Sequence, residues 1–325
     1  MWTYANNGVE LTRSDHSFGH GVTVDGNEVK NKNWLPIYLL LGTVWGCSFL
    51  FIKMGLEFLT PFGVAFIRCA LGALTLLLYI RIRGITLPKE GHMWRKLWFL
   101  ALIGNAIPGV LFGFAELRVT SVLAGIINAT TPLMTVIVIL LAFREDRPKN
   151  YQLFGLFVGA LGVLSVLGIW RGVGHNDVVG IGALLIAVTG YGISFPYTKK
   201  YILPLQLKSE AAATMQIVLA ALTLLPFFLY NGIAEHEYRF APVAAMLVLG
   251  AIGTGFAYIW NFSIISAAGS SIASTVTYVT PVVAVIVGWL FKGETLSWNQ
   301  PVGAVIVVIG AAISQGRFQK LVQKN

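Results

Sequence analysis

The alternation of apolar and polar positions divides the chain after residue 33. Residues 1–33 are polar, with Gly8, Gly19, Gly21 and Gly26 scattered among Asn, Asp and His, and they lack the apolar core of a secretory signal. They read as a flexible cytoplasmic tail. From Trp34 onward, apolar windows of about 20 residues, the length that crosses a hydrocarbon core, follow almost without a break. They predict ten spans: Trp34 to Lys53, Pro61 to Ile80, Trp98 to Leu117, Val119 to Phe143, Leu153 to Trp170, Val178 to Tyr197, Ala211 to Tyr230, Pro242 to Ile265, Ser271 to Phe291 and Asn299 to Ser314. In lipid each backbone group must be satisfied within its own segment, so the expected class is an all-α membrane protein of ten transmembrane helices. The loops are short, leaving little chain for a soluble catalytic domain, so function is expected within the bundle.

The pattern also repeats. Trp45-Gly46-Cys47-Ser48-Phe49 with Lys53 beyond matches Tyr191-Gly192-Ile193-Ser194-Phe195 with Lys199 beyond, at an offset of 146. Ala73-Leu74-Thr75-Leu76-Leu77 recurs without change as Ala221-Leu222-Thr223-Leu224-Leu225 at 148, and Ala124, Thr131, Pro132 and Glu145 meet Ala273, Thr280, Pro281 and Glu294 at 149. Gly155 and Gly162 align with Gly303 and Gly310. The expected organisation is a tail over 1–33, a first five-helix repeat over 34–170, a second over 178–315, and a cytoplasmic tail over 316–325. An odd number of spans per unit places the second copy inverted in the membrane.

Composition removes several classes. Of the 325 residues, 56% are hydrophobic and 11% charged, the latter well under the roughly 25% of soluble domains. The net charge of +9 is no nucleic-acid footprint, since the basic residues fall between apolar runs rather than on one water-facing surface. Their partner is the anionic face of a lipid bilayer. Seventeen of the 23 Lys and Arg residues fall on one side of the predicted membrane and five on the other, with Arg68 inside a span, so both termini are expected in the cytoplasm. Cys47 and Cys69 lie in apolar runs, and no disulfide or metal pattern is present; no cofactor is expected.

Two inverted halves around an axis in the membrane plane can expose a midplane site to one side and then the other, the architecture of a secondary transporter. Pro108 with Gly104 and Gly109, Pro132, Pro281, and Gly250, Gly253 and Gly255 interrupt the helices near mid-membrane. Pro132 and Pro281 stand at equivalent depth and read as matched hinges, whereas an isolated Gly or Pro more often serves helix packing. Gly155-x-x-x-Gly159 suits an internal contact or a homodimer equally.

Arg68 is the one charge well inside a span, where Arg costs roughly 2.5–3.5 kcal/mol on insertion scales. It either holds a substrate carboxylate or bonds to carbonyls of broken helices; its repeat counterpart is the neutral Gln216. Trp45 with Ser48, and Tyr191 with Ser194, each share a helix face and would offer an aromatic surface beside a hydroxyl to a small amphipathic solute. The alternative for each ring is interfacial anchoring or core packing. Asn128 and Thr131, Tyr258 and Asn261, and Thr277, Tyr278 and Thr280 add hydrogen-bonding groups at mid-depth, some of them bridging helices. Glu57, Glu116, Glu145, Asp146 and Glu294 all fall at helix ends or in loops. Either an edge acid such as Glu116 couples transport to protons or transport is not proton-coupled, and the pattern favours the second.

At these residues the chain resembles a known family. Gly253-Thr254, Ala257-Tyr258, Ala273-Ser274, Pro281 and Gly293-Glu294 resemble the second EamA domain of the drug/metabolite transporter superfamily. Trp45-Gly46-x-Ser48-Phe49, Arg68, Pro132 and Glu145 resemble the first, so the likeness covers about 34 to 315. Arg144-Glu145 replaces the usual Gly-Glu pair, and Asn105 stands where the second half has Thr254. The resemblance implies a ten-helix inner-membrane exporter of amino acids or related zwitterions, its small-molecule substrate crossing at a cavity between the repeats. A channel or structural membrane protein is the alternative. A membrane-embedded enzyme is disfavoured, because the five His residues lie outside the spans and no Gly-Lys dipeptide of a phosphate loop occurs.

Overall fold

The computed structural model describes residues 34–119, 121–143, 147–168, 170, 177–234, 239–283, 286 and 297–314. Both expected tails, and Glu145, Asp146 and Glu294, lie outside the described residues. The described residues are helical, with one isolated antiparallel bridge between Leu59 and Ile233.

The first repeat contains α1 (Trp34–Gly55), α2 (Pro61–Ile82), α3 (Gly91–Ala101), α4 (Ile107–Glu116), α5 (Ser121–Asn128), α6 (Thr131–Ala142) and α7 (Asn150–Leu167). The second contains α8 (Val178–Tyr197), α9 (Ser209–Asn231), α10 (Phe240–Gly250), α11 (Ala257–Ala268), α12 (Ser270–Ser274) and α13 (Asn299–Ser314). Local chemistry sets several boundaries. Thr60 caps α2 by accepting from the Gly63 N–H at 3.2 Å, and Pro61 supplies a helix-ready φ at the first position. Asp177 caps α8, accepting from the N–H groups of Val179 and Gly180 at 2.7 and 3.2 Å. Gly168 ends α7 with φ at 60°, a conformation glycine adopts without strain.

Six segments are long and apolar enough to cross a membrane: Trp34–Gly55, Pro61–Ile82, Gly91–Glu116, Val178–Leu205, Ser209–Asn231 and Phe240–Ala268. Thr131–Ala142, Asn150–Val166 and Pro301–Ser314 are apolar but shorter. Several of the expected spans are interrupted. α3 and α4 are joined through a π-helical turn, Leu102–Ala106, and α10 and α11 through another, Ala251–Phe256. The predicted fourth span divides into α5 and α6. The ninth divides into α12, a 3-10 turn over Thr275–Tyr278 and a helical run at 279–283. Pro132 and Pro281 therefore stand in the first turn after a break rather than inside a continuous helix. At that position a missing N–H is tolerated.

Packing is reciprocal under exchange of the two repeats. α2 lies against α9, and α7 against α13. α1 packs on α10 and α11, while its counterpart α8 packs on α4 and the π turn at Leu102–Ala106. α2 rests on the π turn of the second repeat and α9 on that of the first. The α2–α9 pair is also tied at its ends, where the Thr60 hydroxyl donates to the Asn231 carbonyl at 2.6 Å.

α7 and α13 meet backbone to backbone. A Cβ at Gly155 would collide with the backbone of Ser314, and one at Gly310 with that of Gly159. One at Gly162 would come within 2.6 Å of the Val307 nitrogen. The small-residue motif is thus covered by the chain's own helix, so the homodimer reading gains no support from Gly155 and Gly159.

Candidate functional site

A cavity opens where α1, α2, α8, α9 and α11 converge with the broken helices. It is lined by Trp45, Ser48, Arg68, Asn128, Thr131, Tyr191, Ser194, Gln216, Tyr258, Asn261 and Thr277 among the residues singled out from the sequence. Tyr278 and Thr280 are the exceptions, the Thr280 hydroxyl donating to the Thr277 carbonyl at 2.8 Å; the Tyr278 side chain faces away. Its hydroxyl donates to the Leu156 carbonyl at 2.9 Å, and its ring covers Gly159. Adjacent helical residues point about 100° or more apart, so with Thr277 facing the cavity Tyr278 faces α7.

The π turns determine which polar groups remain for a ligand. Each contains a glycine whose carbonyl accepts from a side chain of the other repeat. Trp45 Nε1 donates to the Gly253 carbonyl at 3.2 Å, and the Tyr258 hydroxyl donates to the Gly104 carbonyl at 2.7 Å. Gly104 and Gly253 are repeat counterparts, 149 residues apart. A second matched pair lies beside them. Arg68 Nε donates to Thr254 Oγ1 at 3.0 Å, and Gln216 Nε2 donates to Asn105 Oδ1 at 2.6 Å. The departure of Asn105 from Thr254 thus has a structural reason, since an amide acceptor faces the amide donor Gln216.

The hydroxyls in the wall donate back to their own helices. Ser48 donates to the Val44 carbonyl at 3.0 Å, Ser194 to Tyr191 at 2.8 Å, Thr131 to Asn128 at 2.6 Å and Thr277 to Ser274 at 3.0 Å. Their lone pairs can still accept. Asn261 Oδ1 is buried with no hydrogen-bond partner among the described residues, an open acceptor beside the cavity. Arg68 is the one charged residue among the lining side chains. Its Nε is engaged by Thr254, and the two terminal nitrogens form the part of the guanidinium suited to a carboxylate fork.

Sequence reasoning missed the apolar part of the wall: Phe49, Ile52, Leu100, Phe112 and Phe195, with Gly104 and Thr198. Phe112 sits between Phe49 and Tyr191, at ring-centre distances of 5.9 and 5.8 Å. The Trp45 and Tyr258 rings meet edge-on at 6.1 Å. Among the described residues, no group of three or more His, Cys, Asp or Glu could hold a metal ion.

At the end of the bundle that carries Lys53, Arg118 pairs with Asp177 at 2.9 Å and its guanidinium lies 4.5 Å from the centre of the Phe114 ring. The Arg118 hydrogen bond, with those from the Gly180 and Val179 N–H groups, holds the Asp177 carboxyl below the ordinary carboxylate range. Glu116 sits at this end too, as the sequence predicts, but it is only 6% exposed.

A family model described as the EamA-like transporter family matches residues 33–168 and again 178–315. The chain belongs to the EamA-like transporter family. As an EamA-like transporter it is a multi-pass membrane protein and not an enzyme. It is 25% identical over 287 residues to a Bacillus subtilis protein named as the uncharacterized transporter YoaV, covering 85% of this chain and 94% of that one. It is 26% identical over 304 residues to Escherichia coli YedA, named as an uncharacterized inner membrane transporter, covering 87% and 91%. Protein PecM of Dickeya dadantii is 24% identical over 272 residues, covering 84% and 89%. One crystal structure superposes with a TM-score of 0.70 at 18% identity, over 89% of this EamA-like chain and 98% of its own, which supports a shared fold.

Proposed function

We propose that this transporter is an alternating-access carrier of ten spans in two inverted repeats, over 34–170 and 178–315. Both termini lie in the cytoplasm and its substrate is an amino acid or a related zwitterion, moved outward. The observation that carries the substrate class is the pairing of a single guanidinium with open acceptors and no facing carboxylate in one cavity. A substrate carboxylate takes the terminal nitrogens of Arg68 in a charge-assisted fork. A substrate ammonium, with three protons and no acceptor capacity, meets Asn261 Oδ1 and the lone pairs of Ser48, Ser194 and Thr277. The substrate side chain lies against Trp45, Phe49 and Phe112.

Reciprocal packing supports the alternating part. Exchanging the roles of the two repeats turns the contact of α1 with α11 into that of α8 with α4, and the contact of α2 with the second π turn into that of α9 with the first, while α1 meets α10 and α8 meets the π turn that follows α3. The two states related by that exchange are the ones between which an inverted-repeat carrier alternates. The breaks ahead of Pro132 and Pro281 and the two π turns are where the helices bend. Outward direction rests on the family resemblance, and orientation on the distribution of Lys and Arg.

The test is counterflow in proteoliposomes loaded with an unlabelled L-amino acid, using a panel of labelled L-amino acids outside. Saturable uptake stimulated by the inner amino acid is the expected result. Flux that rises linearly with concentration and ignores the inner solute would indicate a channel instead.

A further inference from the structure

Glu116 is the last residue of α4, and neither of its carboxylate oxygens has a hydrogen-bond partner among the described residues, although both are buried. Next to it in the chain, Arg118 and Val119 pack on Gly180 of α8, and Glu116 itself is 6% exposed. Burying an unpartnered carboxylate as the anion costs several kcal/mol, and burying it as the neutral acid far less. A group in that position is cheap to charge only when water reaches it, so its proton is tied to the shape of the protein around it.

α4 packs against α1, α2, α5 and α8. α1 carries Lys53 in its last turn, and α2 carries Arg68. Arg118 is two residues away but is engaged by Asp177 at the cap of α8. α8 itself adds the phenols of Tyr191 and Tyr197, and α5 carries no titratable side chain. One helical turn separates Glu116 from Phe112, which lines the cavity and points from the same face.

We propose that Glu116 is the proton-binding group of the carrier, so that substrate export is coupled to proton entry. This rests on the carrier reading above and goes beyond it. The carboxylate takes a proton from extracytoplasmic water as that end closes over it. It gives the proton to cavity water when the cavity faces the cytoplasm, and only O–H bonds form and break. Of the two possibilities the sequence leaves open, the burial of Glu116 favours coupling.

The experiment uses wild type, Glu116→Gln and Glu116→Asp in proteoliposomes, with the labelled L-amino acid panel as probe. With equal pH on both sides, all three should show counterflow. With a pH gradient, wild type and Glu116→Asp should accumulate probe against its concentration difference, and Glu116→Gln should lose that accumulation. Gradient-driven accumulation by Glu116→Gln equal to wild type would overturn the proposal. So would wild-type counterflow with no response to the gradient. If no probe is exchanged even by wild type, the amino-acid reading fails by itself. The Glu116 proposal is then decided without substrate, by infrared difference spectra of the purified proteins between acidic and alkaline buffer. A carboxylic-acid carbonyl band lost in Glu116→Gln supports it, and spectra identical to wild type overturn it.

Discussion

Gln216 Nε2 donates to Asn105 Oδ1 at 2.6 Å, fastening α9 of the second repeat to the π turn of the first. Its counterpart fastens α2 of the first repeat to the π turn of the second, through Arg68 and Thr254. The two repeats therefore hold one another at equivalent places with different chemistry, amide to amide on one side and guanidinium to hydroxyl on the other. The charge enters the cavity on one side only.

The Gln216 bond is expected to be a true coupling rather than a coincidence of packing. Side-chain hydrogen bonds between membrane helices contribute about 0.6 kcal/mol on average and about 1.7 kcal/mol at most in double-mutant cycles. A cycle of Asn105→Ala and Gln216→Ala, read by unfolding of the detergent-solubilised protein, should give a coupling in that range. Additive effects of the two substitutions would show that the bond contributes nothing.

The α7–α13 contact predicts a sharp contrast between glycines. Gly155→Ala drives a methyl group into the Ser314 backbone and should destabilise by about 1–3 kcal/mol, the usual cost of overpacking. Gly182→Ala, whose added carbon meets nothing within 4 Å, should leave stability unchanged or raise it slightly. Melting curves of the two variants in the same detergent check both.

Asp177 gives a pH dependence with a definite sign. Its carboxyl titrates below the ordinary range because Arg118 and two N–H groups favour the anion. The stability it contributes is full above the unfolded-state value and is lost as pH falls through the lower folded one. Wild type should therefore melt higher than Asp177→Asn at neutral pH, with the gap closing in acid. Asp177→Ala, which also loses the helix cap, should melt lowest.

Tyr278→Phe removes the hydroxyl bonded to Leu156 without touching the cavity. It should lower the melting temperature while leaving substrate choice in counterflow as in wild type.

Much of the cavity was legible because polar residues are rare in apolar spans and the repeat doubles each signal. Trp45 with Ser48, Tyr191 with Ser194, and Arg68 with Gln216 all line the cavity. Tyr278 falls outside the cavity because adjacent helical residues diverge by about 100° or more and Thr277 takes the cavity face. Phe49 and Phe112 were invisible for another reason: in a membrane helix apolar side chains face lipid, core and cavity alike, so hydrophobicity does not mark a wall. The burial of Glu116 accompanies the packing of Arg118 and Val119 on Gly180 of α8, a long-range contact that local pattern does not encode.

The role we propose for Arg68 is to receive the substrate carboxylate. The direct measurement is counterflow of a labelled L-amino acid in competition with the same amino acid and with its amide, in wild type and Arg68→Gln. Wild type should be inhibited by the acid and scarcely by the amide, and Arg68→Gln should lose transport of the acid while remaining folded. Undiminished transport by Arg68→Gln, or equal inhibition of wild type by acid and amide, would contradict the account.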